Sequence, residues 1–104
     1  MFFIRNITLT AADTNYRLYT LLNAADSRIP ARCAEIQIQA ATANTAKVLI
    51  GDGGLSGSVF GKELNAESST TIGAGSNSNT VPLKNLWARS ASAGQVLNII
   101  VRVA

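Results

Sequence analysis

An apolar residue at every second position in two segments constrains the fold of this chain more than any other feature. The first segment is RCAEIQIQA, residues 32–40, and the second is GQVLNIIVRVA, residues 94–104. Successive side chains of a β-strand point to opposite faces, so this period places the apolar residues of each segment on one face. We therefore predict two half-buried strands. Their inward residues are Ala34, Ile36, Ile38 and Ala40 in the first and Leu97, Ile99, Val101 and Val103 in the second.

Shorter apolar runs separated by turn-forming residues extend this pattern along the chain. FFIRNITLT near the start, and AKVLIG, SVFG, STTIG and NLWARSA further on, have the composition of strands. The segment NYRLYTLL has two interpretations, because the leucines of residues 16–25 also fit one face of a helix. The breakers are DSRIP, ATANT, GDGG and GAGSNSNT, and the last of these, residues 73–80, is predicted to be an exposed, flexible loop.

An all-β fold in one domain follows from this pattern. A chain of 104 residues can bury one modest core and is too short for two, and it contains neither an internal repeat nor a linker. Many short strands with Gly, Ser and Asn turns are typical of a β-sandwich or a small barrel, and about eight strands suit a jelly roll. We predict an antiparallel, jelly-roll-like β-sandwich of about eight short strands over residues 1–104.

The amino-acid composition limits the classes of partner that the chain is expected to bind. Nine Lys and Arg against six Asp and Glu give a formal net charge of +3, but the cations are scattered singly, without aromatic residues between them. Nucleic-acid surfaces need clustered cations, so we predict no nucleic-acid partner. Apolar residues make up 47% of the chain and charged residues 14%, which leaves more apolar surface than a small core hides. We expect part of this surface to face a partner protein.

Neither the single cysteine nor the apolar start of the chain indicates export. Cys33 has no partner for an internal disulfide, so the fold is compatible with a reducing cytoplasm, and we predict a packed thiol at the start of a strand. The opening MFFIRNITLT has no charge before its apolar part and is interrupted by Arg5, and no cleavage site of small residues follows. We therefore expect neither a signal peptide nor a membrane span.

The glycine-rich segment KVLIGDGGLSGSVFGKEL, residues 47–64, has the composition of a loop that holds phosphate or metal. A P-loop requires Ser or Thr after its Gly-Lys pair, but the pair at 61–62 is followed by Glu63. The dinucleotide pattern Gly-x-Gly-x-x-Gly, counted from Gly51, ends at Ser56, where a glycine is required. Both phosphate-binding patterns therefore fail.

A calcium loop gives a partial match to the same segment. With Asp52 at the first of twelve positions, Gly57 falls on the obligatory glycine and Glu63 on the bidentate acid. The third position is Gly54, however, which offers no side-chain oxygen, and no amphipathic helices flank the loop. We favour a reverse turn at GDGG, with glycines at positive φ, over a weak cation site between Asp52 and Glu63.

Residues for catalysis are scarce. The chain contains no histidine, which removes the commonest general base and the usual partner of a nucleophilic serine or cysteine. Ser56 and Lys62 form a candidate Ser-Lys pair, although such residues at strand ends are usually solvated. We predict no enzymatic activity, no cofactor and no metal site. The acids, which never form a tight pair in the sequence, are Asp13, Asp26, Glu35, Asp52, Glu63 and Glu67.

Apolar residues on both faces of the two terminal strands predict a subunit interface. If Phe3, Ile7 and Leu9 face the core, then Phe2 and Ile4 point outward. In the last strand, Val96 and Ile100 lie opposite the inward residues in the same way. Apolar side chains on both faces of a strand in a small β-protein indicate cover by a second sheet or by another chain.

Trp87 and Arg89 complete the set of candidate interface residues. Alternation along LWARS puts them on one side of a strand, with Leu86 and Ala88 on the other. Trp87 has two interpretations: a partly buried ring at a sheet edge, or an interface anchor on which Arg89 stacks.

The order of these segments resembles that of the small β-sandwich virion proteins of tailed bacteriophages. In those proteins a strand of the form E-I-x-I-Q is followed by V-x-I-G-D, a Gly-Leu turn, a Gly-Glu-Ser-like segment, and a closing strand with Trp or Tyr and G-x-x-V-x-V. The similarity covers residues 32–103. It is carried by RCAEIQIQA, NTAKVLIGDGGLSGSVFGKEL, ESSTTIGAG and VPLKNLWARSASAGQVLNIIVRV.

The resemblance implies a capsid decoration, or cement, protein. Such a protein is jelly-roll-like, is commonly a homotrimer, and binds the major capsid protein on the outer face of the head at three-fold positions. The resemblance also implies a virion location after synthesis in the host cytoplasm, and no catalytic residues. A phage tail, baseplate or head-fibre component has the same composition and stays an alternative. A carbohydrate-binding β-sandwich is a further alternative, with Trp87, Tyr16 and Tyr19 as its aromatic residues.

Overall fold

The structure is a computed structural model that describes residues 2–73 and 81–103. Every strand pairing in the described residues is antiparallel, so the all-β, antiparallel prediction is confirmed. The loop predicted at 73–80 lies outside the described residues from 74 onward. The strands are β1 (Phe2–Leu9), β2 (Tyr16–Arg17), β3 (Arg32–Cys33), β4 (Glu35–Ala40), β5 (Val48–Gly51), β6 (Lys62–Leu64), β7 (Ser69–Gly73), β8 (Val81–Pro82), β9 (Trp87–Ser90) and β10 (Gln95–Arg102).

Five nested ladders organise these strands. β1 pairs with β10, β2 with β9, β3 with β8, β4 with β7, and β5 with β6. Two further pairings, β10 with β4 and β5 with β9, join four of the ladders into two sheets. Sheet 1 has the order β1-β10-β4-β7 and sheet 2 the order β2-β9-β5-β6, while β3 and β8 form a short ladder of their own. In the described residues the ladders are thus nested inside one another, as successive pairs along a single hairpin would be.

The core contains the inward side chains of both sheets in one cluster, as the alternation requires. Sheet 1 contributes Phe3, Ile7 and Leu9 from β1, and sheet 2 contributes Val48 and Ala88 among others. The predicted inward residues of β4 and β10 are confirmed, with Ala34 and Val103 half-buried beside them. The fully covered members of that set are Ile36, Ile38, Ala40, Leu97, Ile99 and Val101.

The ambiguous segment at residues 16–25 is a two-residue strand followed by a helix, α1 (Leu18–Ala25). Leu18 and Leu22, one helical turn apart, are both fully buried in the core. Asp26 caps the end of the helix, and its backbone N–H donates to the Leu22 carbonyl at 2.9 Å. The helical interpretation is therefore right for eight of the ten residues. A single turn of 3-10 helix, Leu83–Asn85, precedes β9 and buries Leu83.

Asp26 fastens the end of α1 to β1. Its carboxylate forms ion pairs with Arg5 of β1 and with Arg28, and the Arg28 pair measures 2.8 Å. Hydrogen bonds from the Arg28 side chain and backbone, together with the one from Arg5, hold the pKa of Asp26 far below its ordinary value. The Arg28 guanidinium also lies over the Phe3 ring, 5.5 Å from its centroid. These contacts fix the helix against the edge of sheet 1.

Cys33 lies in β3 and is fully buried, which confirms the packed thiol. Burial raises the pKa of this thiol.

Among the described residues, no helix has the length and the apolar character that crossing a membrane requires.

Candidate interaction surfaces

The outward face of sheet 1 carries the most exposed large apolar side chains of the described residues. Phe2 is 63% exposed and Ile4 is 65% exposed. Ile4 lies directly opposite Ile100 in the β1–β10 ladder, and Ile100 is half-buried. The register therefore gathers three of the predicted interface residues, Phe2, Ile4 and Ile100, into one patch. We call this patch the sheet 1 patch.

Uncharged amides surround the sheet 1 patch. Asn6 lies opposite Asn98, and Gln37 of β4 lies opposite Ile100. A groove of about 130 Å³ lies between Ile4 and the amides of Gln37 and Asn98. Beside Phe2, Arg102 forms an ion pair with Glu35 at 3.6 Å. The patch is thus apolar at its centre and nearly neutral at its border, which suits contact with protein more than with a charged polymer.

Val96, a fourth predicted interface residue, lies near the other end of β10 and opposite Thr8. Its backbone N–H donates to Asn44 Oδ1 at 2.8 Å, and its carbonyl accepts from Asn44 Nδ2 at 2.9 Å. Asn98 lies between Val96 and Ile100 on the outward face. The structure therefore separates Val96 from the sheet 1 patch.

Trp87 and Arg89 lie on sheet 2, and both are half-buried on the face that points away from the core. Their shared side is confirmed, because Ala88 and Ser90, which alternate with them, are buried. The cation over the Trp87 ring belongs to Arg17, 4.8 Å from the centroid, and not to Arg89. Arg17 reaches the ring because the two residues are directly paired in the β2–β9 ladder.

Gly53 and Arg17 both lie next to the half-buried Trp87 ring. Gly53 packs against the indole, and a Cβ at that position would lie 3.6 Å from Trp87 Nε1. The Arg17 guanidinium lies over the Trp87 ring. This arrangement agrees with a partly buried ring, which lines a pocket of about 290 Å³ together with Tyr16 and Arg17. The six predicted residues therefore divide between the outward faces of two sheets.

The glycine-rich segment after β5 forms a turn, as predicted. The Leu55 N–H donates to the Asp52 carbonyl at 3.0 Å, and the Gly54 N–H donates to Asp52 Oδ1 at 2.8 Å. The prediction of positive φ in GDGG is wrong, because the Asp52 side chain closes this turn without left-handed glycines. Among the described residues, positive φ occurs at Asp13, Glu67 and Gly94.

The two acids of the partial calcium match are held by different partners. The Asp52 carboxylate accepts the Gly54 N–H, whereas Glu63 forms an ion pair with Lys47 at 2.9 Å. No group of three or more Asp, Glu, Cys or His side chains that could hold a metal occurs in residues 2–73 and 81–103. The hydroxyl of Ser56 accepts the Val59 N–H at 3.1 Å, so it serves the loop's own geometry.

The run SVFG, predicted as a strand, is instead part of a loop that leads into β6. Ser56 donates its N–H to the Val59 carbonyl at 2.9 Å, which closes a second turn. Val59 is 61% exposed and Phe60 is 42% exposed. An apolar run of this length has no periodicity that separates a strand from a loop, so the sequence misplaces it.

A cleft that the sequence did not reveal opens between this loop and the outward face of sheet 2. Its volume is about 260 Å³, with Leu49 and Phe60 as apolar lining residues. Two ion pairs border it: Lys47 with Glu63 at 2.9 Å, and Arg89 with Asp13 at 3.4 Å. Arg89 also donates to Asn15 Oδ1 at 3.3 Å. We call this feature the sheet 2 cleft.

Comparisons of the chain with protein-family models, with curated proteins and with solved structures give no match. The fold, the order of the sequence segments and these two surfaces are therefore the features that bear on function.

Proposed function

We propose that the chain is a jelly-roll β-sandwich. The observation that supports it is the nesting of the five ladders. The first strand pairs with the last, the second with the last but one, and so on inward to β5 with β6. A jelly roll is built by folding such a hairpin over into two sheets. Without the short β3–β8 ladder, eight strands remain, four in each sheet. The shared core between the sheets is also what a sandwich requires.

We propose that this sandwich serves as a structural virion protein that decorates the outer face of a tailed-phage head. The order of segments in the sequence motivates the assignment, and the jelly-roll arrangement is one that capsid proteins use. The sheet 1 patch supports it further, since exposed apolar side chains rimmed by neutral amides are typical of protein contact sites. In this proposal the partners are further copies of the chain, as a homotrimer, and the major capsid protein.

Cementing a shell does not require a tight single contact. A trimer that touches several capsid subunits at once gains avidity from each contact, provided that its geometry allows simultaneous engagement. Two separated surfaces, the sheet 1 patch and the outward face of sheet 2, would let one copy contact both its own trimer and the shell. The proposal assigns the sheet 1 patch to contact between copies.

The solution mass of the purified protein tests the assembly part of this proposal. Light scattering should give three times the chain mass of 10.9 kDa, in chelator and equally in millimolar calcium. The variant Phe2→Ser/Ile4→Ser should lower this mass while the far-UV spectrum stays unchanged. Val59→Ser, which removes an equally exposed apolar side chain elsewhere, is the control and should stay trimeric. A monomeric wild-type protein would overturn the trimer, and a calcium-dependent mass would revive the cation site at Asp52 and Glu63.

Electron microscopy of virions separates the head assignment from the tail, baseplate or head-fibre alternative. Gold-labelled antibody against the purified protein should decorate heads of virions from cells that carry this gene. Label confined to tails would overturn the cement function and favour the alternative. Absence of label from purified virions would overturn both.

A further inference from the structure

The sheet 2 cleft combines an apolar floor with one exposed aromatic ring. Leu49, on β5, is half-buried and faces outward from sheet 2. Phe60 comes from the loop before β6 and keeps 42% of its surface exposed, although it lines the cleft. The volume of about 260 Å³ lies just below the roughly 300 Å³ at which small-molecule pockets usually begin. The space suits one small ring, and its open sides would let a longer ligand continue outside.

Hydrogen-bonding groups of both kinds border this floor. Arg89 and Lys47 provide donors, while Asp13 and Glu63 provide acceptors, so the four charges sum to zero. The side chain of Arg89 is only 18% exposed, and the contacts of its guanidinium with Asp13 and Asn15 measure 3.4 and 3.3 Å. Charge-assisted bonds of Arg normally measure about 2.7–2.9 Å. Arg89 therefore keeps hydrogen-bonding capacity for a further partner.

We propose that the sheet 2 cleft binds a neutral carbohydrate. A sugar hydroxyl both donates and accepts, so it can satisfy an Arg or Lys donor and an Asp or Glu acceptor at the same time. The apolar face of a sugar ring would contact Phe60 and Leu49, which supply contact area without charge. Because the four charges sum to zero, the cleft gives an anionic peptide, a sugar acid or a polyamine no net attraction that would offset the hydration its charge loses on binding.

The ligand site involves neither the sheet 1 patch, to which the proposed function assigns contact between copies, nor the aromatic residues that the sequence offered for sugar binding. Tyr16 and Trp87 line a different pocket, of about 290 Å³, together with Arg17, whose guanidinium lies 4.8 Å from the centroid of the Trp87 ring. The sheet 1 patch lies on the other sheet. Failure of sugar binding would therefore leave the assembly test unaffected, and failure of assembly would leave the sugar test unaffected.

Titration of the ¹⁵N-labelled protein with methyl glucoside, methyl galactoside and methyl mannoside tests the proposal. Amide shifts should concentrate at Leu49, Phe60 and Arg89 for at least one of the three. Sodium glucuronate has the ring of glucose with an added carboxylate, and it should bind more weakly than methyl glucoside. An acidic peptide and an apolar peptide serve as protein-like probes and should cause no shifts at these positions.

Two variants and one control complete the experiment. Phe60→Ala, at an exposed loop position, should weaken binding about tenfold, and Glu63→Gln should weaken it while the spectrum stays dispersed. Phe2→Ala removes an aromatic ring on the other sheet and should bind like the wild type. The proposal is overturned if no neutral glycoside shifts the cleft amides, if both cleft variants bind like the wild type, or if glucuronate or a peptide binds more tightly than every glycoside.

Discussion

Gln95 at the start of β10 holds Thr45 by both ends of its side-chain amide. Its Oε1 accepts the Thr45 N–H at 2.8 Å, and its Nε2 donates to Thr45 Oγ1 at 3.2 Å. The same Oε1 accepts the Ala46 N–H at 3.0 Å, and Nε2 also donates to the Ala93 carbonyl at 3.2 Å. Gln95 is only 3% exposed, so this one side chain connects the loop before β5 to the final strand.

Replacing Gln95 by alanine should therefore destabilise the protein. Gln95→Ala leaves two part-buried backbone N–H groups without their acceptor, and we expect a loss of about 2 kcal/mol in the free energy of unfolding. Urea unfolding followed by tryptophan fluorescence measures the change. Gln37→Ala, at an exposed position of β4, is the control and should change stability by less than about 0.5 kcal/mol. Equal effects of the two variants would contradict the burial of Gln95.

Adjacent isoleucines on β10 test the register of sheet 1. Ile99 is fully buried and Ile100 faces outward, so the same substitution at neighbouring positions should have very different effects. Ile99→Ala should lower the free energy of unfolding by about 2–5 kcal/mol, since it leaves a cavity in the core. Ile100→Ala should cost much less and should instead weaken contact between copies. A larger stability loss for Ile100→Ala would mean that the strand is turned over by one residue.

The pairing of Arg17 with Trp87 predicts a spectroscopic effect. Arg17→Ala removes the guanidinium from the ring, so tryptophan emission should shift to the red and become more accessible to acrylamide. The stability loss should stay below about 1 kcal/mol, because the contact is near the surface. Arg89→Ala is the matched control, because Arg89 is two residues from Trp87 on the same side of β9 but does not cover the ring. If only the Arg89 variant shifted the emission, Arg89 would be the cation that covers Trp87.

The alternation of the sequence was enough to predict the parts of the fold that depend on one strand at a time. Ile36 and Ile38 on β4, and Phe3, Ile7 and Leu9 on β1, are buried as the period of two requires. The sequence does not decide between helix and strand for residues 16–25, because eight residues with leucines one turn apart fit both. SVFG was misplaced for a similar reason, since its turn depends on hydrogen bonds of Ser56 that no periodicity reports.

The surfaces depend on pairings that a single sequence does not encode locally. Arg89 and Asp13 are 76 residues apart and meet only because β2 pairs with β9. The same pairing, and not proximity in sequence, decides that Arg17 lies over Trp87 while Arg89 points to the cleft. By contrast, the exposure of Phe2 and Ile4 was predictable, because it needs only the alternation of β1. The apolar patch could therefore be found in advance, and the cleft could not.

Glycine conformation provides a fourth prediction. Gly94 has φ of +79°, in the turn between β9 and β10, where its N–H donates to the Leu9 carbonyl at 2.8 Å. Gly94→Ala should destabilise by about 1 kcal/mol, because a Cβ is disfavoured at that φ. Gly57 has no atom within 4 Å of an added Cβ and no positive φ, so Gly57→Ala should be neutral or slightly stabilising. Thermal unfolding of both variants provides the comparison, and the reverse order would contradict the turn assignments.

Acid should loosen the attachment of α1 to β1 through Asp26. Hydrogen bonds from Arg28, and then from Arg5, depress the pKa of Asp26 well below its ordinary value of 3.8. A carboxyl group whose pKa is lowered in the folded state stabilises the fold above its unfolded pKa, and the effect is lost as the pH falls below about 4. Asp26→Asn should therefore be less stable than the wild type at neutral pH and should lose less stability on acidification. Urea unfolding at neutral pH and at several acidic values measures how the free energy of unfolding of each protein depends on pH. Glu67→Gln is the control for the change in net charge alone. Parallel stability curves for the wild type and Asp26→Asn would show that the ion pairs of Asp26 with Arg5 and Arg28 do not stabilise the fold.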